Sequence, residues 1–160
     1  MDSVIVLTHG ENKLIIEVGD YSSGSDLLAA LVDAFPGSKL DNVEFTDFAD
    51  FPDSIFYQPK AELCNDLHNY NKAVQELSSS SEDAFKAFYE EEGGNPLTLL
   101  TEFNNRYTGE FNDTYDFGKD MAEAFGIQLL GNESFFDFEG FGESAASDYE
   151  VLEGRYYFRR

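Results

Sequence analysis

Cysteine occurs once, histidine twice, and lysine plus arginine only ten times in the 160 residues. A single cysteine, Cys64, excludes an internal disulfide framework. Cys64 and His68 stand at i and i+4, but two ligands do not make a zinc site and no further Cys or His is at hand to complete one. With Leu63 and Leu67 adjoining them, packing accounts for the pair, and His9 falls in a turn. No glycine-rich phosphate loop is present, and the basic patches that grip nucleic acid are missing. Carboxylates are so abundant that no two stand out as general acid and base. These absences argue against an enzyme, a cofactor and direct nucleic-acid binding. No apolar run approaches membrane-spanning length, and Met1 to Val6 lack the basic start and apolar core of a signal peptide. A cytoplasmic location away from membranes is expected.

What is abundant is negative charge. Aspartate and glutamate number 32, giving a net charge of −22. Pairing every base with an acid would leave 22 carboxylates over, a self-repelling surplus that lowers the stability of the compact state. The first eighty residues hold 14 acids and 4 bases, the second eighty 18 and 6, and the chain closes on Arg159-Arg160, so no acidic tail explains the total. Sixteen Phe and nine Tyr supply enough apolar surface for a packed core, which separates this chain from acidic disordered segments.

Val4 to Leu7 and Leu14 to Val18, separated by His9-Gly10-Glu11-Asn12, read as a hairpin. Ser25 is placed to cap a helix from Asp26 to Phe35 that Pro36-Gly37 ends. Val43 to Phe48 alternates like a half-buried strand and leads into an irregular acidic loop with Asp50, Pro52 and Asp53. From Ala61 to Leu77, residues Leu63, Leu67, Tyr70, Val74 and Leu77 form one helical stripe, with Glu62, Asp66 and Glu76 on other faces. Ser80 and Asp83 fit a capping box for a helix reaching Glu92 and closed by Gly93-Gly94. Asn95-Pro96 supplies an N-cap and a first-turn proline for a helix through Leu97, Leu100 and Phe103 toward Tyr107.

The segment from Asp113 to Phe125 separates its faces by charge. Phe117, Met121 and Phe125 recur every four residues and should meet a core, whereas Asp113, Asp116, Asp120 and Glu123 line another face. These four carboxylates span about 15 Å of helix at 1.5 Å per residue. An ordinary solvated face would interleave lysines, yet only Lys119 is near. A last helix is expected from about Phe135 to Ala146, with Phe135, Phe138, Phe141 and Ala145 inward, Asp137, Glu139 and Glu143 outward, and Gly140 and Gly142 weakening it. Two short strands around a Glu153-Gly154 turn end the chain. The fold class is α+β: elongated, mainly helical lobes with short antiparallel strands, divided approximately at 1–42, 43–95 and 96–160 or joined as one continuous unit.

Three segments carry a family resemblance. Phe45-Thr46-Asp47-Phe48-Ala49-Asp50-Phe51-Pro52, then Phe103 to Phe111 with its Gly109-Glu110-Phe111 and the following Asp116-Phe117 and Asp120, then Phe136-Asp137-Phe138-Glu139-Gly140-Phe141 with Asp148, stand in order over residues 43 to 160. In that order and spacing the chain resembles the ArdA antirestriction proteins. Members of that family usually carry a Gly-x-Trp feature after the first strand, and this chain has no tryptophan, so its first 40 residues depart from the pattern. The resemblance implies an elongated chain of small lobes, commonly a homodimer, that occupies the DNA-binding groove of type I restriction-modification enzymes. It also implies an origin on a phage or mobile element.

The mechanism has its own physical basis. Duplex DNA presents one negative charge per about 1.7 Å, and its protein partners draw much of their affinity from phosphate contacts and counterion release. At that density 22 charges match about 37 Å of duplex. The carboxylates expected to form such a surface are Asp47, Asp50, Asp53, Glu62, Asp66, Glu90, Glu91, Glu110, Asp113, Asp116, Asp120, Glu123, Asp137, Glu139 and Glu143. Rival readings are an acidic binder or chaperone of a basic DNA-associated protein, and a halophile's binding domain, against which the many large aromatics count. Asp137, Glu139 and Asp148 superficially resemble a calcium loop. Phe141 stands there at a ligand position, however, and Asp148 where a bidentate Glu is required.

Overall fold

The architecture comes from a computed structural model describing residues 4–37, 39–48 and 50–160; Met1 to Ser3 of the amino-terminal run and Ala49 of the acidic motif lie outside the described residues. Six α-helices and two three-stranded antiparallel sheets among those residues make an α+β fold, the class read from the sequence. Packing gathers the chain into two compact units, Met1–Thr101 and Glu102–Arg160. The lobes drawn at 1–42 and 43–95 are therefore not separate bodies, because a sheet and a helix pair run across residue 42.

In the first unit, β1 (Val4–His9) and β2 (Asn12–Glu17) form the expected hairpin around Gly10-Glu11. Gly10 sits at φ +61, where a side chain is disfavoured. The other edge of β1 pairs with β3 (Glu44–Asp47), giving the order β2-β1-β3. Helix α1 (Gly24–Ala34) starts two residues earlier than the sequence suggested. Its cap is Ser23, whose hydroxyl accepts from the Asp26 N–H at 3.1 Å, and Ser25 lies inside the first turn. The early start lets Gly24 touch α2 (Lys60–Gln75), where a Cβ would strike the Asn65 backbone.

On α2 the stripe Leu63, Leu67, Tyr70 and Val74 is buried together with Cys64. Tyr70 stacks on Phe85 at 5.5 Å and meets Phe51 and Tyr89, so aromatic rings fill the centre of this unit. The capping box does not form. At α3 (Glu82–Glu92) the cap residue is Ser81 without a side-chain cap bond, and the Ser78 hydroxyl instead bonds those of Ser80 and Ser81 at 3.1 and 3.0 Å. Gly93 ends the helix at φ +65. Asn95 caps α4 (Pro96–Arg106) as its sequence indicates, accepting from the Leu97 and Thr98 N–H groups.

The second unit holds a strand not expected from the sequence. Tyr107 to Glu110 continues as β4 (Tyr107–Glu110) and pairs with β6 (Tyr156–Arg159), whose other neighbour is β5 (Tyr149–Leu152). Glu153 and Gly154, at φ +51 and +72, make the tight turn between the last two strands. On this sheet pack α5 (Thr114–Ala124) and α6 (Phe138–Ala146), with Phe117, Met121, Tyr149 and Tyr157 as the buried cluster. Gly142 does more than weaken its helix. A Cβ there would overlap the Thr114 carbonyl, and one at Gly118 the Phe138 carbonyl, so this glycine pair lets the two helix backbones approach closely. Two aromatic residues expected to face the core do not: Phe125 is the C-cap of α5 and 72% exposed, and Phe135 belongs to a separate 3₁₀ turn and is 87% exposed.

Candidate functional site

Helix α5 shows how the sequence builds a predominantly acidic face, with the exposed Lys119 as its one base. Phe117 and Met121 turn inward and fix its orientation, so Asp120 and Glu123 are left in solvent and Asp116 is half-buried. Asp113 does not belong to the helix body. It is the N-cap, its Oδ1 accepting from the Asp116 N–H at 2.9 Å, while the Asp116 carboxylate accepts from the Asn112 side-chain amide at 2.8 Å. Negative charge is favoured at a helix N-terminus and disfavoured at its C-terminus. Asp113 and Asp116 therefore support the helix, and Asp120 and Glu123 oppose it.

Two further members of the predicted surface also hold backbone. Asp137 caps α6 by accepting from the Gly140 N–H at 2.9 Å. Residues 138–146 are helical, which replaces the loop a calcium site would need. Glu90 reaches from α3 to the start of the 3₁₀ turn Asp53–Tyr57, accepting from the N–H of Asp53 and, at 3.2 Å, from that of Ser54. The stretch read as an irregular acidic loop is thus an ordered turn with buried Phe51 and Pro52 beneath it.

Asp47, Asp50, Glu62, Glu91, Asp120, Glu123, Glu139 and Glu143 are exposed, and their carboxylates make no hydrogen bond or ion pair among the described residues. Glu110 differs: Arg155 bonds it at 3.0 Å and Glu153 at 3.3 Å. Asp66 lies half-buried in a polar cleft of about 360 Å³ with Gln58, Glu62, Asn65 and Asn95. Burial pushes its carboxyl above the usual aspartate value, the Gln58 side chain opposes this, and Glu62 adds to it. Burial likewise pushes Tyr89 up to about 12, with Asp66 and Glu90 contributing. Glu17, Asp33, Glu76 and Glu133, outside the predicted set, are exposed as well. Nothing in a single sequence distinguishes them from the fifteen.

His9 and Cys64 occupy structural positions, and His68 is half-buried on α2. The His9 Nδ1 bonds the Asn42 carbonyl at 3.1 Å and its ring meets Phe35, while Cys64 is fully buried. Among the described residues no three His, Cys, Asp or Glu are grouped to hold a metal ion, and no helix is long and apolar enough to cross a membrane. No family model, curated protein or solved structure matches the chain.

Proposed function

We propose that the protein is a DNA mimic that occupies the DNA-binding groove of a type I restriction-modification enzyme, or of another DNA-binding protein, in the host cytoplasm. The observation that carries this reading is the α5 face, where Asp116, Asp120 and Glu123 are backed by the buried Phe117 and Met121. A carboxylate array held on a packed helix meets a cationic groove with little ordering cost, unlike charges on a disordered tail. The net charge of −22 adds long-range steering toward such a groove.

A homodimer belongs to the same proposal. Two bodies of this charge can associate only through a surface low in charge, and residues 126–132 carry no charged side chain. Leu130, 86% exposed, offers apolar contact area within that stretch. The dimer should tighten as salt rises, because salt screens the repulsion. Light scattering showing a monomer at micromolar concentration in both low and high salt would refute it.

The function is tested by competition. Purified protein is titrated into type I restriction complexes with bound DNA. Displacement of DNA supports the mimic. Failure across several complexes, with binding to histone-like polycations instead, would favour an acidic binder of basic proteins.

A further inference from the structure

A groove of about 850 Å³ opens in the second unit between the C-terminal end of α5, α6 and the last strands. That volume falls within the roughly 300–1,000 Å³ of small-molecule sites. Met121, Phe125, Phe141 and Ala145 form its apolar wall, and the Phe125 and Phe141 rings meet edge to face at 6.2 Å. Tyr149 is fixed beside them by a hydrogen bond from its hydroxyl to the Met121 sulfur. Arg159 and Arg160 line the same groove with Asp148, so the side chains around it sum to a charge of +1 in a chain of net −22. Neither guanidinium makes an ion pair among the described residues, although carboxylates outnumber bases on this chain by more than three to one.

We propose that this groove binds a small amphiphilic carboxylate, its apolar body against Phe125 and Phe141 and its anionic head on Arg159 and Arg160. Charge decides the size of the occupant. A polyanion or an acidic protein would carry many charges into the field of the whole molecule. A single carboxylate carries one, and because charges farther than the screening length of about 8 Å at physiological salt are damped, it senses mainly the groove's own side chains, Arg159 and Arg160 against Asp148. The site is separate from the acidic surface and does not depend on mimicry.

The test uses the full chain and decanoate, with decanol as the neutral control, followed by amide NMR. Saturable shifts confined to residues lining the groove, and decanol at least tenfold weaker, are expected. The R159Q/R160Q variant should lose at least tenfold in decanoate affinity and keep its decanol affinity. R160Q alone, outside β6, should lose part of it without touching the sheet. Equal affinity for acid and alcohol, no shifts at the groove up to millimolar decanoate, or unchanged binding by both variants would overturn the proposal. So would a dimer, seen by sedimentation in the same samples, whose formation abolishes decanoate binding, because a second copy would then be the occupant.

Discussion

The two compact units hold their carboxylates in place by different means. In Met1–Thr101 the acidic turn at Asp53 is tied down from a distance by Glu90, a contact between residues 37 apart in sequence. In Glu102–Arg160 the acids ride on two short helices, each begun by its own aspartate cap and locked together at Gly118 and Gly142. A fixed array of charge therefore does not require one kind of scaffold. It requires that some carboxylates organise backbone so that others can stand free.

The largest expected effect breaks the helix pair of the second unit. G142A forces a methyl group into the Thr114 carbonyl, and since backbone cannot step aside as a side chain can, destabilisation of about 3 kcal/mol is expected. The gain in helix propensity, about 1 kcal/mol, offsets only part of the gross strain. Thermal unfolding measures it, and a G142A protein as stable as the parent would disprove the close approach.

Next in size is the tie in the first unit. E90A leaves the Asp53 and Ser54 N–H groups without their acceptor and should cost about 1–2 kcal/mol, with E91A near zero. E90Q, which keeps an acceptor oxygen, should lie between them in a denaturant titration. Equal effects at 90 and 91 would make Glu90 one more surface charge.

Within α5 the comparison sharpens to single residues. D113A should cost about 1 kcal/mol through loss of the cap, and D113N much less. D120N and E123Q should each stabilise by a few tenths of a kcal/mol, because they relieve the C-terminal end of the helix. Chemical denaturation at low salt resolves the sign.

The smallest effect depends on pH. Asp66 has a folded-state carboxyl raised mainly by burial, so its protonated form is favoured on folding and that contribution is lost as pH rises through the folded value. D66N should therefore stabilise slightly at pH 7, and the gain should vanish in acid below the ordinary aspartate value of 3.8. A gain that persists at pH 3 would point to packing instead.

Legibility in the sequence followed locality. The hairpin at Gly10-Glu11, the Asn95 cap and the stripe of α2 depend on neighbours a few residues away, and each was readable. Strand β4 was not, because Tyr107 to Glu110 is a strand only through β6, some fifty residues later. Phe125 reads as a core position because periodicity cannot tell the last core position from a helix end. The acidic face of α5 was visible as spacing, but the division between capping and free carboxylates was not. That division depends on where each helix begins, and the cap itself fixes the beginning.

The central claim is that charge on α5 and its cap acts as a distributed, phosphate-like field, and it is tested by replacing Asp113, Asp116, Asp120 and Glu123 with their amides, singly and then cumulatively. The inhibition constant against a type I restriction enzyme is measured at two salt concentrations, with circular dichroism to verify the fold. The prediction is a stepwise loss, modest for each residue and cumulative over four, with salt dependence falling as charges go. Collapse on a single substitution, the non-additive mark of a catalytic or metal site, or indifference to all four at low salt would contradict it.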